Sequence, residues 1–303
     1  MKNSKSAGIP ALGRREFLGA GALAVAMVGG AAASASEHHT DEHAAKSDGK
    51  SGRVPGIQLY TVRESMQQDL PATLAAIAAI GYKEVECAGY FDVPPGELRR
   101  MIEDLGMRSP NSHVDFNAMR TDPVSVIEPA AELGNRWATI AWVPPETRGT
   151  VDDWKRWAEA LNRAGEVAKG YDMRAAYHNH EFEFEAVAGK LPYDVLLAET
   201  DPALVDFELD FFWAAKAGQD IGRILAGSPG RFTMAHIKDM NADGDMVDVG
   251  AGQIDFAALL ATEAGRRVTH LFVEHDEPAD AFRSAAISYG GLERILRKLG
   301  KGA

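Results

Sequence analysis

The stretch from Arg174 to Glu185, RAAYHNHEFEFE, places two histidines at the end of an apolar run. Side chains alternate along a β-strand, so His178 and His180 share one face of the strand predicted here, opposite Tyr177. Two imidazoles on one face are typical of a metal site or a proton-transfer site, and equally of a pair of hydrogen-bonded histidines at the rim of a core. The rest of the chain has to decide between these interpretations.

Short apolar strands alternate with amphipathic helices from Val54 onward. The first unit pairs a strand over residues 54–61 with a helix that Asp69 and Pro71 begin and Gly81 ends. Further strands are predicted at residues 85–87, 107–113, 136–142, 174–180, 204–210, 231–239 and 267–275, each followed by a helical segment. Eight strand and helix units over ~250 residues are the count and length of a closed parallel barrel. The sequence therefore predicts an α/β fold, a (β/α)8 TIM barrel, as a single domain over residues 54–303. The other candidate, a doubly wound open sheet, would need a glycine-rich phosphate turn that the first strand lacks.

The predicted strands end in polar side chains, and a parallel barrel places its working residues at those carboxyl ends. The residues concerned are Gln58, Tyr60, Glu86, His113, Trp142, His178, His180, Asp210, His236, Lys238, Glu274 and His275. Each alone could be a rim residue or a member of a salt bridge. Histidines and carboxylates that converge in a buried place are readily satisfied by a divalent cation. Because Cys87 is the single cysteine, such a metal must be held by histidines and carboxylates.

The N-terminal region has the composition of a targeting segment. Arg14 and Arg15 precede a weakly apolar run rich in glycine and alanine, and small residues end at Ala35. This pattern predicts a twin-arginine signal peptide over residues 1–35, followed by a disordered linker over residues 36–53, and hence a periplasmic protein. The apolar run is shorter than the ~20 residues of a spanning helix, so no stable membrane insertion is expected after cleavage.

The charge of the chain argues against some partners. The 303 residues carry a formal net charge of −12, and removal of residues 1–35, which hold four basic residues and one acidic residue, takes it to −15. An acidic protein of this kind is poorly suited to nucleic acid or to an anionic membrane. The oligomeric state, including a homo-oligomer, is left open.

The motifs from Ile57 to Leu296 resemble the xylose isomerase-like barrels grouped as sugar phosphate isomerases and epimerases, which share a fold with type IV endonucleases and ketose 3-epimerases. Asp210 in FELDFFW, His236 in AHIKD and Glu274 in FVEHD match three metal-ligand positions of that family. The fourth position is usually the glutamate of a Glu-x-His pattern, and His178 occupies it here. The resemblance implies one divalent metal ion, usually Mn, held by these four residues. Zn, Co and Fe suit the same ligands.

The resemblance implies a metal-dependent sugar isomerase or epimerase whose partner is a small-molecule carbohydrate. Such an enzyme removes the proton next to a carbonyl and so forms a metal-bound enediolate. Epimerisation by proton transfer on both faces needs two bases, and the loss of glutamate at position 178 leaves Glu274 with His180 or Glu183. Elimination needs one base and one acid. A lyase of 3-keto-glycosides or related oxidised sugars is therefore the alternative, with Lys238 as the group that stabilises the enediolate oxygen or protonates the leaving group.

The candidate substrate-binding residues are Gln58, Tyr60, Glu86, His113, Trp142 and Trp213. Their aromatic members are suited to an apolar wall against a sugar face, although aromatics at barrel ends also pack in loops. Two further classes are less favoured. A metallophosphodiesterase would need more ligands and a basic face, and a non-catalytic sugar-binding protein would not need Asp210, His236 and Glu274 together.

Overall fold

The computed structural model describes residues 52–300, and these form a closed barrel of eight parallel strands. The barrel strands are β1 Pro55–Gln58, β2 Glu84–Cys87, β3 Arg108–Val114, β4 Trp137–Ile140, β5 Arg174–His178, β6 Val205–Asp210, β7 Phe232–Ile237 and β10 His270–Val273. A short antiparallel hairpin, β8 Asp239–Met240 and β9 Met246–Val247, follows β7. Going round the barrel, the strand order is β1, β10, β7, β6, β5, β4, β3 and β2.

Helices connect the strands on the outside of the barrel. They are α1 Arg63–Gln68, α2 Leu70–Ile80, α3 Pro95–Asp104, α4 Phe116–Thr121, α5 Val124–Leu133, α6 Val151–Lys169, α7 Pro192–Glu199, α8 Phe211–Lys216, α9 Ile221–Gly227, α10 Phe256–Ala261 and α11 Ala281–Gly300. Short 3-10 turns lie at Leu59–Val62, Pro145–Thr147, Phe182–Phe184 and Gly265–Arg267.

Local sequence explains where the helices begin and end. The Asp69 side chain accepts a hydrogen bond from the Ala72 N–H at the start of α2, and Thr150 and Asp153 form a reciprocal capping box on α6. Such side chains satisfy N–H groups that have no partner inside the helix. Helix α5 ends at Gly134, whose left-handed φ of 93° favours glycine.

Two apolar clusters support the barrel. The large one fills the space between strands and helices and includes Trp154, Trp157 and Tyr193. The small one, Ala176, Met234 and Phe272 with Trp137 against it, lies among the inward-facing side chains of the strands. A barrel interior packed in layers in this way is a solid core, so ligands are restricted to its ends.

The predicted fold is confirmed: the chain forms a single TIM-barrel domain, and the open-sheet alternative is wrong because β1 pairs with β10 and closes the barrel. The hairpin that separates β7 from α10 was not predicted. Arg53, assigned to the linker from the sequence, donates a hydrogen bond to the Gly265 carbonyl at 2.6 Å, so ordered structure begins before Val54. The predicted signal peptide and residues 36–51 of the linker lie outside the described residues. Between residues 52 and 300, no helix has the length and apolar character needed to cross a membrane.

Candidate active site

The carboxyl end of the barrel is lined by titratable side chains from six strands. Strand β6 supplies two of them at successive inward-facing positions, Glu208 and, at its last residue, Asp210. In the register of the sheet Glu208 is paired with His178 of β5, and Asp210 with His236 of β7. Because alternate residues of a strand share a face, these side chains form two levels, one nearer the barrel mouth and one deeper.

The level nearer the mouth, called the outer group, consists of Asp210, His236, Lys238 and Glu274. His236 Nδ1 lies 2.8 Å from Glu274 Oε2 and 3.9 Å from Asp210 Oδ2. Lys238 Nζ lies 2.6 Å from Glu274 Oε2, 3.1 Å from Asp210 Oδ2 and 2.8 Å from Asp276 Oδ1. One ammonium therefore contacts three carboxylates at the mouth. Asp239 is not its partner, since that carboxylate accepts hydrogen bonds from four backbone N–H groups of residues 240–254.

The deeper level, called the inner group, consists of Glu86, His113, His178 and Glu208. Glu208 Oε2 lies 2.9 Å from His113 Nε2, 3.3 Å from His236 Nε2 and 3.5 Å from His178 Nδ1. Glu86 Oε2 lies 2.6 Å from His236 Nε2. The His236 ring thus connects the two groups through its two nitrogens. The His178 ring also lies between them, because its Nε2 is 3.8 Å from Asp210 Oδ2.

Burial and charge shift the pKa values of these groups in opposite directions. Burial, with Glu208 nearby, raises the pKa of Glu86 to about 7, and burial raises that of Asp210 to about 6. Burial acts to lower the pKa of His236, yet the carboxylates of Glu208, Glu86 and Glu274 hold it well above its usual value. Burial and the neighbouring His236 depress the pKa of His178, which stays neutral.

Buried polar atoms without a hydrogen-bond partner indicate that these residues fit a metal. Asp210 Oδ1 accepts from the Trp213 N–H and so caps α8, which directs Oδ2 into the outer group without a hydrogen bond of its own. His178 Nδ1, which lies 3.5 Å from Glu208 Oε2 of the inner group, also has no hydrogen-bond partner in the part of the chain that the structure describes. The ligand atoms of Asp210, His236 and Glu274 all lie within 4.8 Å of one another. Two carboxylate oxygens and an imidazole nitrogen so close together suit a divalent cation.

His180 and Glu183 follow β5 and differ in their surroundings. The His180 ring stacks on Phe182 and lies against Trp213, and its Nδ1 has no hydrogen-bond partner among residues 52–300. Burial and the charge of Lys238 lower the pKa of His180 to about 3, so its imidazole is neutral. Both oxygens of Glu183 are occupied, one by the Tyr177 hydroxyl at 2.7 Å and the other by the His180 N–H at 2.8 Å. The Glu183 contacts are those of a residue that holds the turn after β5.

The predicted substrate-binding residues fall into two sets. Glu86 and His113 are members of the inner group, and Gln58 contacts both of them. Gln58 Nε2 donates to Glu86 Oε2 at 2.6 Å and lies 3.2 Å from His113 Nδ1. The three aromatics follow the carboxyl ends of their strands: Tyr60 is in the 3-10 turn Leu59–Val62, Trp142 in the loop after β4 and Trp213 in α8. Tyr60 packs under Arg63, Trp142 packs on Phe116, and the buried Nε1 of Trp213 has no hydrogen-bond partner within the described part of the chain.

Three further polar residues were not singled out from the sequence: Asn111, Glu208 and Asp276. Asn111 donates to Glu86, and Asp276 accepts from Lys238. Glu208 is the most central, because its Oε2 has three imidazoles around it. A signal for it was present, since Glu208 lies two residues before Asp210 and so shares its face of the strand.

Comparison with known proteins agrees with this fold. The family model described as "Xylose isomerase-like TIM barrel" matches residues 74–286, most of the chain. The chain belongs to the xylose isomerase-like TIM barrel family. The resemblance found in the sequence is therefore confirmed at this level, while the twin-arginine subgroup stays a prediction.

Named relatives divide between two kinds of enzyme. Inosose dehydratase of Bacillus licheniformis is 34% identical over 189 residues, covering 55% of this chain and 61% of the relative. Inosose dehydratase of Lactiplantibacillus plantarum is 25% identical over 191 residues, 57% of this chain and 63% of the relative. The matches thus span less than two thirds of either relative. The crystal structure of a sugar phosphate isomerase/epimerase from Parabacteroides distasonis superposes with a TM-score of 0.71 at 26% identity, over 82% of this chain and 96% of that one. The family thus includes lyases as well as isomerases and epimerases.

Proposed function

We propose that this protein is a metal-dependent lyase that removes water from a neutral cyclic or open-chain keto-polyol. The proposal rests on the positions of His180, a neutral imidazole, and Lys238, an ammonium, which both lie beside the ring of Trp213. The His180 ring centre lies 5.6 Å from that of Trp213, and Lys238 Nζ lies 5.7 Å from the Trp213 ring centre. A base and an acid of different kinds are what an elimination needs.

Asp210, His236 and Glu274 are the residues that would hold the metal, with His178 as the predicted fourth ligand. A divalent ion bound by them supplies polarisation of the substrate carbonyl, which makes the neighbouring C–H more acidic. The outer group positions these ligands before substrate arrives, since Asp210 is fixed by the cap of α8 and Glu274 by its contacts with His236 and Lys238.

The remaining steps belong to side chains of the chain itself. His180, neutral and with an Nδ1 that lacks a partner among the described residues, takes the proton from the carbon next to the carbonyl. The electron pair of that C–H bond forms a C=C bond, and the C–O bond to the hydroxyl on the next carbon breaks. Lys238 gives a proton to the departing hydroxyl, which leaves as water, and both side chains return to their starting state by proton exchange with solvent.

The charges around the mouth favour a neutral substrate. The salt bridges of Lys238 set its one positive charge against Asp210, Glu274 and Asp276. With a divalent ion bound, its two charges and that of Lys238 match the three carboxylates, so no net positive charge is left at the mouth for the roughly two negative charges of a phosphate group. Hydroxyl groups of a neutral substrate can instead accept from Trp213 Nε1, a buried N–H group that has no hydrogen-bond partner between residues 52 and 300.

The names of the two curated relatives, both inosose dehydratases, support the same reaction class. A second candidate is a sugar isomerase or epimerase, as in the Parabacteroides distasonis structure. The observation in its favour is Glu274, a carboxylate in contact with Lys238, which could act as the second base if it is not occupied by metal. The ion supplied by the cell is Mn in this proposal, with Zn, Co or Fe as alternatives.

NMR in heavy water with a panel of keto-polyols, keto-sugars and 3-keto-glycosides tests the reaction. The expected result is an enone product that is lighter than the substrate by one water. A product of unchanged composition with deuterium at the carbon next to the carbonyl would replace the lyase with the isomerase or epimerase. Full-length protein loaded with Mn and a metal-free sample provide the comparison.

We also propose that the protein is exported to the periplasm by the twin-arginine route, on the evidence of Arg14 and Arg15 before the weakly apolar segment. Replacing both arginines by lysine should leave the folded protein in the cytoplasm. Cell fractionation of the two strains measures this, and equal periplasmic amounts would contradict the proposal.

A further inference from the structure

The inner group contains two buried carboxylates whose charged neighbours, among the described residues, are histidines. Glu86 and Glu208 are both fully buried. Within residues 52–300, neither forms a salt bridge with lysine or arginine, and their partners are Gln58, Asn111 and the histidines. Two buried carboxylates close to each other normally require protons or a cation.

The nitrogens of three histidines converge on one carboxylate oxygen of Glu208, one of them, His113 Nε2, at hydrogen-bond distance. Three imidazole nitrogens surround the same oxygen at 2.9, 3.3 and 3.5 Å, and all four ligand atoms lie within 4.8 Å of one another. Atoms bound to one tetrahedral Zn²⁺ at ~2.0–2.2 Å are separated by ~3.3–3.5 Å. His178 Nδ1, on a side chain only 2% exposed, is aimed into this group and has no hydrogen-bond partner in the described chain.

We infer that the inner group is a second cation site, separate from the metal of the proposed reaction. Its ligands are His113 Nε2, His178 Nδ1, His236 Nε2 and Glu208 Oε2. Glu86 Oε2, 3.2 Å from His113 Nε2, is available as a fifth oxygen. His236 Nδ1 still faces Asp210 and Glu274, so the two ions would share His236 as a bridging imidazolate.

The ligand chemistry separates the two positions. The outer group offers mainly carboxylate oxygen, which suits Mn²⁺, whereas three imidazoles and one carboxylate suit a borderline ion such as Zn²⁺ or Co²⁺. An ion in the inner group would link the ends of β3, β5, β6 and β7 and neutralise two buried carboxylates. The proposal stands on these contacts and does not depend on which reaction the outer group performs.

Zinc titration of the metal-free protein, with bound ion counted by elemental analysis, tests the site. We expect wild type to bind one more Zn²⁺ per chain than the His113→Ala variant. His113 is not part of the outer group, so the variant should keep the ion held by Asp210, His236 and Glu274. Counting the difference between two proteins that share every other residue cancels any zinc bound elsewhere.

The matched control is His270→Ala at the opposite end of the barrel. The His270 side chain is 16% exposed, against 14% for His113, and it too contacts a buried glutamate, Glu84. This variant should bind as much zinc as wild type. Equal zinc in wild type and in His113→Ala would overturn the inference.

Diffraction from wild-type crystals grown with Zn²⁺ alone, recorded at the zinc absorption edge, gives an answer even if His113→Ala does not fold. An anomalous peak ~2.0–2.2 Å from His113 Nε2, His178 Nδ1 and Glu208 Oε2 is the expected result. Zinc density confined to the outer group would show that the inner group is balanced by protons alone.

Discussion

The two ends of the barrel use the same residue types to different effect. At the amino end, Glu84 accepts from Arg108 and lies 2.9 Å from His270 Nδ1, while Asp206 accepts from Trp137 and Arg174. Each of these two carboxylates therefore accepts a hydrogen bond from an arginine. Two residues further along the same strands, Glu86 and Glu208 face each other and the histidines, and Asp210 beyond them faces a single lysine.

The two ends contain similar residue types. What distinguishes the functional group from the structural one is the number of buried polar atoms without a hydrogen-bond partner. Buried polar atoms in proteins are nearly always hydrogen-bonded, so exceptions call for an explanation. Nine buried side-chain nitrogen or oxygen atoms have no hydrogen-bond partner among the described residues, and Arg174 Nε at the amino end is one of them. Four of the nine, His178 Nδ1, His180 Nδ1, Asp210 Oδ2 and Trp213 Nε1, belong to residues that surround the candidate site at the carboxyl end. A metal ion and a polyhydroxylated substrate would satisfy them.

The largest contrast is expected between Asp210→Asn and Asp206→Asn, two changes of the same kind on β6. The amide that replaces Asp210 can still cap α8, but it offers a metal a neutral oxygen instead of a charged one. We expect loss of bound metal and a fall in turnover of ~10³-fold or more, because carbonyl polarisation contributes several kcal/mol. Asp206→Asn should keep metal and turnover while losing ~2 kcal/mol of stability with the Arg174 ion pair.

Metal content, turnover and denaturant midpoints of the two variants measure this contrast. Loss of turnover in Asp206→Asn without loss of stability would show that the amino end takes part in function after all. A metal-loaded, active Asp210→Asn protein would remove the outer group from the proposal.

His180→Ala tests the proposed base. Removing a general base costs ~10²–10⁴-fold in turnover and should leave the bound metal unchanged. His178→Ala, in contrast, should weaken metal binding as well, since the His178 ring lies between the two groups. Turnover and metal content of both variants are the measurements. A near-normal rate for His180→Ala would move the base to Glu274 or Glu183 and favour an epimerase.

Lys238→Met should lower turnover by ~10²-fold. This is the lower part of the range for loss of a general acid, because water can partly replace lysine as the proton donor. Metal affinity should not fall, because Asp210 and Glu274 lose a competing cation. The control at the amino end is Arg108→Met, which removes the partner of buried Glu84 and should reduce stability but not turnover. Single-turnover kinetics and metal titration distinguish the two results, and an unchanged rate in Lys238→Met would exclude lysine as the acid.

The last effect expected is on the pH dependence of stability, through Glu183, and it leaves turnover largely unchanged. Burial raises the pKa of Glu183 from 4.5 to about 7, so its favourable contribution to folding is complete below pH 4.5 and is lost as the pH rises through 7. The difference amounts to at most about 3 kcal/mol. Glu183→Gln can still bond to Tyr177 and should lack this decline.

Denaturant midpoints of wild type and Glu183→Gln between pH 4.5 and 8 provide the test. Parallel curves would contradict the assigned cause. Turnover should be largely retained, since both oxygens of Glu183 hold the turn after β5. A loss as large as that of His180→Ala would make Glu183 a candidate for the base again.

Much of this protein can be predicted from its sequence alone. The alternation of apolar strands and helices predicts the barrel because periodicity depends on local chain geometry. Once parallel strands are assumed, their carboxyl ends must meet, so the polar residues at the strand ends are predicted to converge. The choice of Asp210, His236 and Glu274 among them comes from the resemblance to the family. The cap of α2 at Asp69 and the end of α5 at Gly134 are equally local.

Other features depend on distances across the barrel, which no spacing in the sequence specifies. In the sequence Glu208 is one more residue of an alternating strand, and only the positions of β3, β5 and β7 around it surround its oxygen with three imidazoles. Lys238 and Asp276 are 38 residues apart, and their contact depends on how β7 and β10 pair. Which polar atoms remain without partners is likewise a property of the folded molecule, because it depends on the contacts of all neighbouring strands at once.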